Sequence, residues 1–454
     1  MIWRGVAGFI VVLALAFGAF YAWQWRDEIA PVKPPVASSF DPAIVAKGAR
    51  LAAVGDCAVC HTKAGGKPFA GGFPVQSPFG IIYGSNITPD PQTGIGSWSE
   101  EAFRRALREG VTRKGNHLYP AFPYDHFTRV TDDDISALYA YLMTREPVQQ
   151  RNLPPDLPFP LNIRLSAAAW KLLFLSTGQY QPDRTQSAQW NRGAYLTAGL
   201  GHCGACHSPR NSLGAEDNTK AYAGGKGEGW TAPALNSASP APVPWTADQL
   251  YAYLRHGFAD EHGHVAGPMQ PVVQELARAS ESDVRAIAVY IASLPGAQNA
   301  AQLQQRTKAA LQFAQNRNPT VVRRISTTGV AAAPEAQQMH GSADGAAIFA
   351  GACASCHHSG GELPISRPIE LGLSTPVNEQ DPTDFIRIVL DGIHPAPQRH
   401  GPIMPGFAGA LTDAQIIALA AYVRAQFSRA GPWTHVAETL KAAHKNPEPK
   451  SGMP

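Results

Sequence analysis

A chain of 454 residues is too long for one ordinary hydrophobic core, and at roughly 100–200 residues per domain it predicts about three. With 16% charged and 44% hydrophobic residues, and with 39 Pro and 42 Gly, it reads as globular domains joined by loop-rich connections, which excludes a disordered chain. The formal net charge is only +3 and no basic block is interleaved with aromatics, which excludes nucleic acid as a partner.

Met1 and Arg4 precede a mostly apolar run from Gly5 to Trp25, closed by Arg26, Asp27 and Glu28. As a helix the run spans roughly 30 Å, the thickness of a bilayer's hydrocarbon core. The alternative is a cleaved signal peptide ending near Ala14-Leu15-Ala16. The apolar stretch Phe17 to Trp23 beyond that site, with Tyr21, Trp23 and Trp25 as an interfacial belt, favours an anchor over residues 1–30. Either reading takes the bulk of the protein out of the cytoplasm. Pro31, Pro34 and Pro35 then mark a stiff linker over 31–45.

Three copies of one pattern follow, over residues 46–150, 186–296 and 341–430. Each opens with a glycine on a helical segment (Gly48, Gly193, Gly345), reaches a cysteine pair followed by histidine, and closes in a capped amphipathic helix. The predicted N-caps are Thr131, Ser280 and Thr412, with Asp134, Asp283 and Gln415 three residues on, as in a capping box. A connector (151–185) and an Ala- and Gln-rich linker (297–340) separate the copies, and the tail (431–454) reads as a mobile polar extension. No strand-like alternation competes with the helices, so the predicted fold class is all-α.

The pattern's centre is Cys57-Ala58-Val59-Cys60-His61, repeated as Cys203-Gly204-Ala205-Cys206-His207 and Cys353-Ala354-Ser355-Cys356-His357. In C-x-x-C-H, two thiols on one turn reach the two vinyl groups of a haem, and the adjacent histidine points its imidazole at the iron. Structural zinc would need a fourth ligand near each trio, and disulfides would leave three adjacent histidines without a reason. The reading is therefore three tandem cytochrome c domains behind a transmembrane helix, with three covalently bound haem c groups. All six cysteines are consumed, so any iron–sulfur cluster belongs to a partner. Tyr141, Tyr290 and Tyr422, ten residues beyond the caps, fall on apolar stripes and are read as core residues beside the haems.

Methionine is the sixth ligand to look for, because Met/His ligation raises the potential. Met269 lies twelve residues after Gly257, and Met404 twelve after Gly392; the same step from Gly110 lands on Phe122. Met269 and Met404 are thus predicted axial ligands, and the first haem is left with His126, His117, Met143 or an open position. His117 shares a register with His264, in a domain that has its methionine, and Met143 sits near the end of the closing helix. These considerations favour His126 and a lower-potential, bis-histidine first haem. His202, His256, His262, His358, His394 and His400 are assigned no ligand role, and Arg210 has a haem propionate or solvent as its alternatives.

With these motifs placed, the sequence resembles the triple-haem cytochrome c subunits of bacterial membrane-bound alcohol and aldehyde dehydrogenases and their gluconate dehydrogenase relatives. The resemblance covers nearly all of residues 45–430. It rests on Asn86-Ile87-Thr88-Pro89-Asp90, Thr93 to Ser99, Leu118-Tyr119-Pro120-Ala121-Phe122-Pro123-Tyr124, and Arg192-Gly193-Ala194-Tyr195-Leu196 leading into His202-Cys203. Alcohol dehydrogenase members usually place the first haem's methionine after the Tyr-Pro-Ala run. Phe122 departs from them, and the variant through His126-Phe127 is similar to cytochrome subunits that accompany molybdenum hydroxylases, such as aldehyde or N-heterocycle dehydrogenases.

The resemblance implies a periplasmic catalytic dehydrogenase as partner, with molybdenum and iron–sulfur subunits in the favoured variant, and delivery of electrons to ubiquinone or a terminal oxidase. The chain would sit in the bacterial inner membrane with its haem domains on the periplasmic side. The cytochrome subunit of a quinoprotein alcohol dehydrogenase or of a flavin-dependent sugar-acid dehydrogenase is the runner-up. No nucleophile, base and oxyanion cluster supports bond chemistry by this chain alone, so a different class, a haem enzyme with an open first iron, ranks below the electron carrier. The apolar stretch from Leu161 through Trp170 to Leu175 reads as packing between domains, or else as a surface for the membrane, a quinone or the dehydrogenase.

Overall fold

The computed structural model describes residues 2–297, 299–317, 344–357, 370–394 and 404–445. The chain divides into two compact units, Met1–Pro182 with Ala198–His202, and Asp183–Thr197 with Cys203–Pro454. The first holds the first copy of the repeat; the second holds the other two.

Each copy is built on a crossing of its opening and closing helices: Pro42–Val54 on Asp132–Met143, Ala188–Ala198 on Glu281–Ser293, and Gly345–Ala352 on Asp413–Phe427. The three glycines lie at the crossing points. A Cβ on Gly48 would run into the carbonyl of Ala137 and stand 2.7 Å from the Cβ of Tyr141. On Gly193 it would meet Ala286 O and Tyr290, and on Gly345 Ala418 O and Tyr422, in both cases 2.8 Å from the tyrosine Cβ. The helices therefore touch backbone to backbone, and the tyrosines, predicted to be core residues, flank the contact. Tyr141 packs on Phe69, Tyr290 on Trp190 and Tyr422 on Phe349.

The predicted caps are present. Thr131 accepts from Asp134 N, Ser280 from Asp283 N and Thr412 from Gln415 N. Only Gln415 completes a reciprocal box. Asp134 and Asp283 instead form ion pairs with Lys47 (2.6 Å) and Arg192 (2.7 Å), each directly before the crossing glycine. The third copy has Asp344 at that place, where an acid would gain nothing from a second acid, and there glutamine closes the cap.

A middle helix in each copy ends on a glycine with positive φ: Glu100–Glu109 at Gly110, Ala247–His256 at Gly257 and Thr383–Asp391 at Gly392. Gly110 and Gly257 make a left-handed turn and Gly392 a positive-φ extended one, and each reverses the chain into a short backbone pairing. It joins Val111 to His117 and Phe258 to His264, seven residues after each glycine, but Ile393 to Met404, twelve after. His117 and His264 thus share a position, as their register predicts, whereas Met404 takes that position in the third copy. The correspondence of Phe122 with Met269 holds in backbone terms; that of Met269 with Met404 is one of sequence spacing only.

Five stretches differ from expectation. Two-stranded hairpins, Pro74–Ser77 with Gly80–Tyr83 and Gly225–Gly227 with Trp230–Ala232, punctuate the helical fold, because turns at Gly80 and Gly229 fold back strands too short for alternation to register. Within the linker 297–340, Asn299 caps a helix Ala300–Asn316 whose Ala310 and Ala314 bury against Val243 and Leu373; residues 318–340 lie outside the described residues. The tail contains a helix Val436–Lys445 whose Leu440 and Ala443 enter the third core, because Val436, Leu440 and Ala443 share one face; only its end, 446–454, lies outside the described residues. The chain is docked on both sides of the start of the Pro-rich linker: Ile29 N, just before it, bonds Arg113 O, and Val32 N, within it, bonds Ser97 O.

Candidate functional site

All three C-x-x-C-H segments form the same helical turn. The histidine N–H donates to the carbonyl of the first cysteine, at 3.1 Å for His61 to Cys57, 3.0 Å for His207 to Cys203 and 2.9 Å for His357 to Cys353. One turn puts the two sulfurs, three residues apart, on one side and carries the imidazole beside them.

A carbonyl beyond the hairpin fixes the ring in the first two copies. His61 Nδ1 lies 2.6 Å from Ser85 O, just after Gly80–Tyr83, and His207 Nδ1 lies 2.7 Å from Pro233 O, just after Trp230–Ala232. Because a carbonyl only accepts, Nδ1 carries the hydrogen and Nε2 the lone pair, the tautomer a metal-binding histidine requires. Burial lowers the pKa of both rings, which keeps them neutral. Sequence reading missed Ser85 and Pro233, since a carbonyl has no side-chain signal; the glycines of the hairpins are the only local trace.

The cysteines fit the same chemistry. Burial pushes the Cys203 thiol up to about 12 and that of Cys353 up to about 11. Two thiols on one turn beside an imidazole suit thioether attachment of a haem. When bound, the haem supplies one-electron redox chemistry; the chain's own residues hold and orient it and exclude water.

The axial candidates fall in different settings. Met269 begins the helix Met269–Leu276 and is half-buried; just before it Gly267 lies against the Trp230 ring, which leaves no room for a side chain. Met404 is half-buried and pairs through both backbone groups with Ile393 at 2.9 Å; its neighbours Pro402 and Ile403 lie outside the described residues. His126 sits in the short helix Tyr124–Phe127, buried, with Nδ1 2.9 Å from Ala198 O. Arg129 Nη1 also approaches that nitrogen, at 3.4 Å, and donates to Ala198 O at 2.9 Å.

The other candidate side chains of the first copy have neighbours of their own. His117 Nε2 lies 2.9 Å from Gln24 O and its Nδ1 lies 3.0 Å from Lys171 Nζ, so both nitrogens are engaged. Met143 is buried in the closing helix as a core residue. Arg210 donates to Ala205 O at 2.7 Å and to Gly214 O, so its guanidinium pins the second attachment turn. His202 packs against Phe127 and His126, and His262 stacks on Trp245; His358 and His400 lie outside the described residues.

Residues 45–146 match the family Cytochrome c, and residues 341–423 match the family Cytochrome C oxidase, cbb3-type, subunit III. Such domains imply covalently bound haem c. Similarity extends over most of the chain to subunits of dehydrogenase complexes. The fructose dehydrogenase cytochrome subunit of Gluconobacter japonicus is 36% identical over 88% of this chain and 82% of its own length. The gluconate 2-dehydrogenase cytochrome c subunit of Pantoea cypripedii is 35% identical over 96% and 95% respectively. A nicotinate dehydrogenase subunit of Pseudomonas putida is 45% identical over 96% of this chain, which spans only about a third (35%) of that longer protein.

Proposed function

The chain belongs to the cytochrome c subunits of dehydrogenase complexes, and on that premise we propose that it carries three haems, one in each of the domains 46–150, 186–296 and 341–430. In this reading the thioethers form at Cys57, Cys60, Cys203, Cys206, Cys353 and Cys356. His61, His207 and His357 are the proximal ligands, and Met269, Met404 and His126 complete the three irons. The observation that carries it is the recurrence of one attachment turn, with the histidine N–H bonded to the first cysteine carbonyl in all three copies. His126 is supported by its burial and by the Ala198 carbonyl beside its Nδ1, as Ser85 and Pro233 carbonyls stand beside Nδ1 of His61 and His207. A bis-histidine first haem lies below the other two in potential, which places it at one end of the electron path.

The partner in this proposal is a catalytic dehydrogenase of the molybdenum hydroxylase type, with iron–sulfur subunits, oxidising an aldehyde or N-heterocycle. Phe122 at the place of the usual methionine supports it, as does the similarity to a protein whose name specifies nicotinate, an N-heterocycle. Electrons leave for ubiquinone or a terminal oxidase from the periplasmic side of the inner membrane. The helix Ile2–Gln24, long and apolar enough to cross a bilayer, supports that placement.

The test is to tag the chain, isolate it gently from its native membrane, count haems per chain, and assay the co-purifying large subunit for molybdenum, pyrroloquinoline quinone and flavin. Three haems with molybdenum is the expected result. Quinone cofactor or flavin would overturn the partner assignment and leave electron transfer standing. The competing reading, a haem enzyme, draws on the loss of methionine at Phe122 and is tested separately. Rapid binding of cyanide or carbon monoxide to one haem of the native chain would favour it, whereas His126→Ala alone should create such a ligand-binding haem.

A further inference from the structure

The helix Leu165–Phe174 is inside out for a helix in water. Its only charged side chain, Lys171, is buried and donates to Glu109 O (2.7 Å), Gly110 O (2.5 Å) and His117 Nδ1 (3.0 Å). Ala167 and Ala168 are buried beside it, while Leu172 and Leu173 stand 57% and 65% exposed. Ala169, Leu172 and Leu173 form one outward face by helical spacing, and Phe159 and Ile163, on the approach to the helix, are also exposed. Surrounded by water, a lysine would turn outward and leucines inward.

The position of this face identifies what covers it. His117 joins the helix to the end of the membrane-length segment, because the ring bonded to Lys171 through Nδ1 bonds Gln24 O, the last residue of Ile2–Gln24, through Nε2 at 2.9 Å. Burial lowers the pKa of His117 and brings Lys171 down to about 7, so the clamp sits in an environment that disfavours charge. Arg164, directly before the helix, donates to His117 O at 2.9 Å. On the same side, Arg26 O approaches Gly115 so closely that no side chain fits there. The helix is thereby held beside the end of Ile2–Gln24, where Trp23 and Trp25 stand exposed.

We propose that Leu165–Phe174 lies in the interface of the phospholipid bilayer beside the anchor, with Leu172 and Leu173 immersed among the acyl chains as a second, peripheral membrane contact. The contact would fix the rotation of the first domain over the membrane, which a single spanning helix leaves open. The proposal rests on the reading of Ile2–Gln24 as a membrane anchor.

The full haem-loaded chain is reconstituted in phosphatidylethanolamine and phosphatidylglycerol vesicles doped with a phospholipid that carries a diazirine in its acyl chain. After photolysis and digestion, adducts are mapped by mass spectrometry. Adducts are expected on the anchor and on Leu165–Phe174, and the doubly substituted L172E/L173E chain should lose the second set and keep the first, with its haem spectrum unchanged. Adducts on the anchor alone would overturn the proposal and leave the anchor reading intact. Absence from both would overturn the anchor reading and the proposal with it. Persistence on the helix in the double variant would also overturn it, since contact would not run through the leucines.

Discussion

The third copy offers an internally controlled test of the glycine crossings, because Gly345 and Gly351 lie on the same helix, Gly345–Ala352. A Cβ on Gly345 would meet the Ala418 carbonyl and stand 2.8 Å from Tyr422 Cβ, whereas one on Gly351 would have nothing within 4 Å. Ordinary contact begins near 3.4 Å, so Gly345→Ala forces the helices apart by more than half an ångström at a backbone that cannot swing away. Overpacking of this kind costs about 1–3 kcal/mol, and the parted helices lose dispersion contacts besides. Gly351→Ala carries only the propensity gain of alanine over glycine, about 0.5–1 kcal/mol in favour of the fold. The two identical substitutions should therefore differ by about 2–4 kcal/mol. At about 4–8 °C per kcal/mol for a domain of this size, the midpoints should separate by roughly 10–30 °C. Thermal unfolding of the haem-loaded chain followed by circular dichroism, with hydrogen exchange of the Gly345–Ala352 and Asp413–Phe427 amides as the local readout, measures this. Equal stability of the two variants would refute the backbone-to-backbone crossing.

Met269→Ala and Met404→Ala should each lower the potential of one haem without loss of haem content, and spectroelectrochemical titrations identical to those of the parent chain would refute the assignments. Phe122 stands where Met269 stands in the second copy, five residues beyond the paired histidine, so Phe122→Met should offer the first iron a thioether and raise the lowest potential of the three; no movement of that potential would sink the correspondence. Asp384 should make the second unit pH-sensitive. Burial is the main cause that pushes its carboxyl up from an ordinary 3.8 to about 7, against a 2.7 Å bond from Thr231 N. A raised acid pKa means that the folded state binds the extra proton, so this stability is complete below pH ~4 and is lost as pH rises toward 7. Asp384→Asn keeps an acceptor for Thr231 and removes the titration, so its unfolding midpoint should be flatter over that window; a slope equal to the parent's would refute the assignment.

The local logic of the chain is legible in its sequence. The three C-x-x-C-H turns, the caps at Thr131, Ser280 and Thr412, and the membrane-length run all depend on residues within one or two turns of each other, where spacing alone dictates geometry. The crossing glycines are visible as a recurrence, although their reason, contact with a carbonyl about ninety residues away in Gly48 and Gly193, is not.

Tertiary structure decided the rest, because those features join residues far apart in sequence through groups that carry no distinguishing side chain. Ser85 O and Pro233 O orient the histidines from 24 and 26 residues away, and Ala198 O fixes His126 from 72. His117, a candidate ligand by residue type, is taken up by Gln24 O and Lys171, 93 and 54 residues distant. The tail helix joins the third core only because the packing there accepts Leu440. A sequence states which side chains are available and how they are spaced along a helix, but packing chooses which backbone carbonyl faces a given imidazole, and the tautomer follows from that choice.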